Sequence, residues 1–246
     1  MKYIHIVDVN GAQLACVEVG GSGIETVLFT AADTVVHLDG AMRPAGARLA
    51  IATPGIIEHG RVVAASTLGW LDVDPALELG IGPSAEIVLN DAEAAALGEV
   101  ALRDGATDAV YICVGTGVGG AVVESGAVVA TNLLGHLTGY SERECLCGQT
   151  GCLETVVGGW ALPDPIDANT LGLMASSIAH ALARETLATP RLVVLGGGIA
   201  RRYPVLRTQL AEHAPDRTVE LSAAPAGFKS AAAWGLRAAL VPSMRA

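Results

Sequence analysis

Three of the chain's five cysteines fall within eight residues, Cys145-Leu-Cys147-Gly-Gln-Thr-Gly-Cys152, and His136 stands nine positions before the first of them. Three thiolates and one imidazole make the donor set of a closed, four-coordinate structural zinc site. Gly148 and Gly151 let the loop fold back so that all three sulfurs can face one ion. Buried thiols are the alternative, but glycine and polar neighbours are poor material for a packed core, and this ligand set suits Zn2+. Glu154 follows the last cysteine, so a metal held there would also fix a carboxylate. Chemistry is expected at that carboxylate.

Other stretches carry weaker signals. Gly115-Thr116-Gly117-Val-Gly-Gly120 fits the dinucleotide pattern G-x-G-x-x-G, which alone says little. A dinucleotide turn must lead into a helix, whereas the residues after Gly120 alternate like a strand and turn at Glu124-Ser-Gly126. The loop therefore joins two antiparallel strands. It is either an ordinary tight hairpin or one whose backbone N–H groups and Thr116 hydroxyl cradle a phosphate. Asn90-Asp91 sits where a strand gives way to a helix; both types suit an N-cap, and Asp91 is also placed to take a proton from a substrate hydroxyl. Asp8-Val-Asn10-Gly11 closes the first strand with a carboxylate and a turn, and Gly196-Gly197-Gly198 after an apolar strand can admit a nucleotide against bare backbone. The remaining histidines (His5, His37, His59, His180 and His213) have no partners in sequence, and Cys16 and Cys113 read as buried and inert.

The elements that must position these residues follow from composition and pattern. With 246 residues, 51% hydrophobic and 4% aromatic, the chain can bury a large core of Ala, Val, Leu and Ile. Fifteen basic against 25 acidic residues leave a net charge of −10, which disfavours nucleic acid as a partner. Apolar runs stop well short of the ~20 residues of a spanning helix, so no membrane association is expected. Asp8 and Asn10 interrupt any signal-peptide core, and an odd cysteine count with a metal-like cluster suits a reducing cytoplasm. Short strands are expected over 2–8, 12–19 and 24–30, then 48–53 and 86–90, with a helix starting at Asp91. The plan recurs in strands over 108–114, 118–123 and 127–130, followed by the metal loop. A helix over 171–187, a strand over 191–195, a further helix after Gly198 and an Ala-rich helix over 230–240 complete it.

In order along the chain, these pieces resemble the ROK family (repressors, open reading frames and sugar kinases). The matching stretches are Ile-Val-Asp8-Val-Asn-Gly11, Thr53-Pro-Gly55, Leu-Asn90-Asp91-Ala-Glu-Ala-Ala-Ala-Leu-Gly-Glu99, Val-Gly115-Thr-Gly-Val-Gly-Gly120, Gly135-His136, the 145–154 segment and Val-Leu-Gly-Gly-Gly198. The resemblance implies an α/β architecture of two RNase H-like, actin- or hexokinase-like lobes with a cleft between them. The N-terminal lobe would be residues 1–90, shortened and completed by a C-terminal helix in 229–246. Residues 91–228 would form the C-terminal lobe, with the zinc loop at 132–154. It further implies an ATP-dependent kinase of a sugar or sugar-like polyol, with Asp91 as general base and structural zinc on His136, Cys145, Cys147 and Cys152. Asn90, Glu154, Gly55, Thr67 and the ring nitrogen of His136 that faces away from zinc would bind the acceptor. Asp8 would hold Mg2+ through water; Asn10, Gly11, Gly115, Thr116 and Gly117 would cradle phosphate, and Gly196, Gly197 and Gly198 would line the adenosine site. A cytoplasmic homodimer is the family default.

The chain departs from the family pattern at several points. Leu133 stands where relatives carry a sugar-binding Glu three residues before the histidine, and Ala12 replaces a Thr of the first phosphate turn. Residues 31–47 and 158–170 are shorter than expected. Leu133 suggests an acceptor other than glucose, such as a deoxysugar or a cyclitol, because an unpaired polar group there would cost about 1–3 kcal/mol. Polyphosphate is a variant donor, although the acidic chain lacks the basic patch a polyanion prefers. The competing reading is a catalytically silent member that binds a sugar or cyclitol for sensing.

Overall fold

The computed structural model describes residues 3–9, 12–20, 23–25, 34–37, 48–65, 68–81, 85–131, 134–184, 190–224 and 231–241. The chain divides into two compact units, one of Met1–Gly105 with Ala224–Ala246 and one of Ala106–Ala223. In the first, β1 (Tyr3–Val9) and β2 (Ala12–Gly20) form an antiparallel hairpin. β3 (Gly23–Glu25) extends it on β2, and β4 (Thr34–His37) extends it on β1. β5 (Arg48–Thr53) then lies parallel to β2. Its residues Leu49 to Thr53 are all buried, as a strand covered on both faces requires.

A separate antiparallel sheet of β6 (Ile56–Glu58), β7 (Arg61–Ala65) and β8 (Trp70–Val73) follows. The short α1 (Pro75–Glu78) comes next, capped by Asp74, whose carboxylate accepts from the Ala76 and Leu77 N–H groups. β9 (Ile87–Asn90) adds parallel to β5 and runs directly into α2 (Asp91–Ala101). The main sheet has the order β4-β1-β2-β5-β9. β2, with Cys16, Val17 and Val19 buried, takes the parallel place beside β5, and β1 lies one strand further out. The expected repeat of one plan is thus modified here, because in the second unit the first strand of the meander takes that place.

The second unit opens with the antiparallel meander β10 (Ala109–Val114), β11 (Val118–Glu124) and β12 (Ala127–Thr131). After an irregular loop come α3 (Glu154–Val157), a 3-10 turn at Gly159–Ala161 and α4 (Ala168–Arg184). Helix α4 buries Leu171, Met174, Ala175, Ile178, Ala181 and Leu182, the one-sided spacing that 3.6 residues per turn dictates. β13 (Leu192–Gly196) lies parallel to β10, and α5 (Gly197–Arg202) and α6 (Val205–His213) lead to β14 (Thr218–Leu221), parallel to β13. The order is β12-β11-β10-β13-β14, and its face packs Val110, Ile112 and Leu195 with the apolar stripe of α4 and with Leu206 and Leu210 of α6.

The chain then returns to the first unit as α7 (Ala232–Leu240), which packs on α2, β2, β5 and β9. That contact assigns α2 to the first unit, so the division falls after Gly105 and not at residue 90. The two helices touch backbone to backbone. A Cβ on Gly235 would lie 1.7 Å from the Ala94 carbonyl oxygen, and one on Gly98 would lie 1.9 Å from that of Ala231. Gly235→Ala should therefore destabilise by about 1–3 kcal/mol through overpacking and lower the melting temperature by several degrees. Gly172→Ala is the opposite case: it lies in α4 with nothing within 4 Å of an added Cβ, and should hold or raise the melting temperature. Differential scanning fluorimetry of the two variants checks both signs.

Candidate functional site

His136, Cys145, Cys147 and Cys152 come together, with one donor atom of each within 4.8 Å of all the others. Cys147 and Cys152 have their sulfurs 3.7 Å apart, and the Cys145 sulfur is 3.9 Å from His136 Nδ1. Bonds of about 2.3 Å in a tetrahedron give an edge of about 3.8 Å, so the spacing fits one shared ion. It is far too long for a disulfide, and all the cysteines are free. The loop folds as its glycines require: Gly151 has φ +77°, and a Cβ there would meet the Ser141 carbonyl oxygen at 2.4 Å. Burial pushes the Cys152 thiol up to about 12 and raises Cys145, while the Gln149 backbone N–H lowers Cys147. A coordinated cation would reverse the upward shifts, since a coordinating thiol loses its proton outright. The Nδ1 side of His136 faces the sulfurs, and Nε2 lies on the opposite edge of an exposed ring.

Glu154 begins α3 directly after this cluster and is 9% exposed. Its Oε2 accepts from the Val118 N–H at 2.7 Å and its Oε1 from the Trp160 indole N–H at 3.1 Å. Two donors satisfy a carboxylate that would otherwise be costly to bury. One lone pair on each oxygen remains for a ligand. Val118 ends the Gly115–Gly117 turn, which is the hairpin between antiparallel β10 and β11 that the strand pattern predicts. Within it the Gly115 N–H donates to the Gly117 carbonyl at 3.0 Å. From outside, the Gly159 and Trp160 N–H groups donate to the Gly115 and Thr116 carbonyls at 2.9 and 3.0 Å. The amides of Thr116 and Gly117 have no acceptor among the described residues. Two adjacent unpaired N–H groups beside an exposed Thr hydroxyl form a nest suited to a phosphate oxygen.

In the first unit, Asn90 serves as the N-cap of α2 in a complete capping box with Glu93. Its Oδ1 accepts from the Ala92 N–H at 2.9 Å and its Nδ2 donates to the Gly55 carbonyl at 2.9 Å. The cap sets Asp91 at the first helical position, where its Oδ1 also accepts from Ala92 at 2.9 Å. Burial raises the Asp91 pKa above its ordinary value; the backbone N–H bonds lower it and the Glu93 charge raises it, both to a smaller extent. Gly55 has φ +115°, and a side chain there would strike Ala64 and Ala65 of β7, so this glycine is required by packing as well as by the Asn90 bond.

Several expected site residues stand elsewhere. Asp8 pairs with Gln13, one residue before the Leu14–Arg48 pair at the start of β5, whereas Asn90 pairs with Thr53 at its other end. The register thus sets Asp8 at the end of the sheet away from Asp91. Asn10, Gly11, Thr67 and Leu133 lie outside the described residues. Gly196 and Gly197 are explained by close packing: a Cβ on the first would meet the Tyr111 hydroxyl oxygen at 2.2 Å, and one on the second the Val114 carbonyl at 2.4 Å. Gly198 alone of the three faces open space. Sequence reasoning passes over Trp160 and Arg143. The available signal for the first is a tryptophan behind Gly158-Gly159 in a chain with only three.

Comparison with known proteins identifies the family and the fold. Residues 3–182 match the ROK family. An N-acetylmannosamine kinase of Shigella boydii serotype 18 is 31% identical over 267 aligned residues, covering 89% of this chain and 91% of the relative. The ROK hexokinase of Thermus thermophilus has a TM-score of 0.60 at 26% identity over 77% of this chain and 76% of that one. The inorganic polyphosphate/ATP-glucomannokinase of Arthrobacter sp. strain KM has a TM-score of 0.56 at 27% identity, with 82% and 77% covered. The fold is the α/β, actin-like fold of hexokinase-type proteins, and the chain belongs to the ROK family.

Proposed function

We propose that this protein is a carbohydrate kinase that transfers the terminal phosphoryl group of ATP to a hydroxyl of a sugar or sugar-like polyol. The observation that carries the reading is Asp91, a carboxylate held at a capped helix start by backbone N–H groups, with its proton affinity raised by burial. Such a group accepts the proton of an attacking hydroxyl as the new O–P bond forms and ADP leaves. The relatives named N-acetylmannosamine kinase support an N-acetylhexosamine as the first acceptor to try. In the second unit Glu154 and His136 Nε2 would bind acceptor hydroxyls and the Thr116 and Gly117 amides would hold the transferred phosphate; in the first unit the second Nδ2 hydrogen of Asn90 is the corresponding acceptor-binding candidate. Phosphoryl transfer needs mainly positioning and charge neutralisation, which such groups supply. Mg2+ accompanies ATP in this chemistry and would neutralise phosphate charge; the register sets Asp8 at the sheet end away from Asp91, which disfavours it as the holder of that ion. The Cys3His set would hold structural zinc. Cytoplasmic residence and a homodimer belong to the same reading; no described helix is long and apolar enough to cross a membrane.

Coupled-enzyme detection of ADP over hexoses, N-acetylhexosamines, deoxysugars and cyclitols tests the activity. Turnover of at least one acceptor is expected, with Asp91→Asn slower by about 10²–10⁴-fold. Binding of a polyol with no turnover of any acceptor would establish the silent binder instead.

The pH dependence has a definite sign. A proton on Asp91 abolishes the base, so the acid limb of kcat should lie above the usual Asp range near 3.9. The same shift makes the folded state prefer the protonated form. Its contribution to stability is therefore greatest below the ordinary pKa and is lost as pH rises through the raised one. Asp91→Asn should accordingly melt no lower than the parent at pH 7.5 while losing turnover; a variant that melts earlier contradicts the burial argument.

Metal analysis provides a separate check. The purified chain should carry about one zinc per polypeptide, and Cys152→Ser should lose it together with several degrees of melting temperature.

A further inference from the structure

The Trp160 indole and the Trp160 backbone act on two different partners. Its Nε1–H donates to Glu154 Oε1 at 3.1 Å, while its own amide donates to the Thr116 carbonyl at 3.0 Å. The neighbouring Gly159 amide does the same for Gly115 at 2.9 Å. Those two bonds hold the turn in which the Thr116 and Gly117 N–H groups have no acceptor among the described residues. The other Glu154 oxygen accepts from Val118, the residue that closes the same hairpin. Glu154 and the phosphate-competent turn are therefore joined twice, once through Val118 and once through Trp160.

The ring is itself fixed from the metal loop. The Arg143 guanidinium lies over it, 5.7 Å from the ring centroid, and its Nη1 donates to the Thr155 and Ala161 carbonyls at 3.0 and 3.1 Å. Arg143 stands two residues before Cys145, so the loop that gathers the four metal donors also clamps the tryptophan. An indole N–H can only donate. It therefore directs one Glu154 lone pair inward and leaves the other to accept from a ligand hydroxyl or amide N–H.

We propose that Trp160 is a positioning residue for acceptor recognition, holding Glu154 so that it can accept from hydroxyl or amide donors of the sugar while keeping the 115–117 turn in place. This rests on the kinase reading, and it assigns to Trp160 a task specific to the acceptor.

Trp160→Phe removes the N–H and keeps an aromatic ring under Arg143. Expected are an acceptor KM raised about tenfold or more, as for loss of a hydrogen bond to a charged group, and an ATP KM within about twofold of the parent. Trp160→His, which restores a ring N–H, should recover part of the loss. In a Glu154→Gln background the phenylalanine substitution should add little, because the two residues act through one bond. Acceptor and ATP KM values that rise together, or full additivity with Glu154→Gln, overturn the proposal. The bond itself is read without turnover from the indole N–H resonance of 15N-labelled protein, assigned by its disappearance in Trp160→Phe. That resonance should move in Glu154→Gln, and an unmoved resonance overturns the proposal. Absence of turnover by the parent on every acceptor would instead remove the kinase reading, an outcome the indole resonance keeps distinct.

Discussion

Four donor atoms drawn within 4.8 Å of one another govern the shape of the second unit's irregular loop. Between Leu134 and Leu153 few side chains are buried, so the hydrophobic effect has little hold on this stretch. Backbone bonds join its two ends: the Glu154 N–H donates to the Gly135 carbonyl at 2.9 Å and that of Leu153 to Leu137 at 2.8 Å. Donor geometry and these bonds must jointly define the loop. Bringing three sulfurs so close without a cation would leave thiols with poor hydrogen bonds, and thiolates with uncompensated repulsion. A bivalent ion bound by the four donors would remove both penalties at once.

The carboxylate placed by that loop shows how a buried charge is made tolerable. Glu154 has a backbone donor on one oxygen and an indole donor on the other, at 2.7 and 3.1 Å. Removing either partner would leave an ionised oxygen facing little water, a costlier change than never having made the bond. The arrangement also brings a negative charge beneath a turn whose free amides suit an anion. Gly117 makes this approach possible, since a Cβ there would lie 2.7 Å from Glu154 Oε2. The pair of donors offsets the carboxylate's charge on the side facing the turn.

Much of this arrangement is legible in the amino-acid pattern alone. The strand over 48–53 has an apolar run at Leu49–Ala52 and is ended by Pro54-Gly55, and the junction at Asn90-Asp91 combines strand, cap and strong helix formers, so both appear where expected. The hairpin at 115–117 is legible because alternation resumes after it. What escapes has physical reasons. The β6–β8 sheet is built of three- to five-residue strands with exposed positions such as Ile56 and Leu71, too short for periodicity to mark. Helix α6 buries only Leu206 and Leu210, which leaves a faint stripe. Alternation also cannot say which of two hairpin strands takes the parallel neighbour, so the place of β2 beside β5, and with it the position of Asp8, is hidden. Gly196 and Gly197 read as nucleotide-facing residues; Tyr111 and Val114 across the sheet, far away in sequence, are what forbid a side chain there.

The Asn90-Asp91 pair shows why capping and chemistry need not compete for the same residues. Asn90 satisfies helix donors and ties itself to Gly55, so the helix start is held mainly by Asn90, and the Asp91 side chain shares only the Ala92 N–H. Asp91 then occupies the first turn, where the helix dipole favours its anion, yet burial drives its pKa upward. The backbone N–H bonds at the helix start favour the anion and desolvation opposes them, and desolvation is the larger. A carboxylate whose anion is under-solvated but held in fixed geometry is a stronger base than one in water. On the proposed kinase reading, the cap would contribute orientation and burial would contribute basicity, and a base for an alcohol needs both.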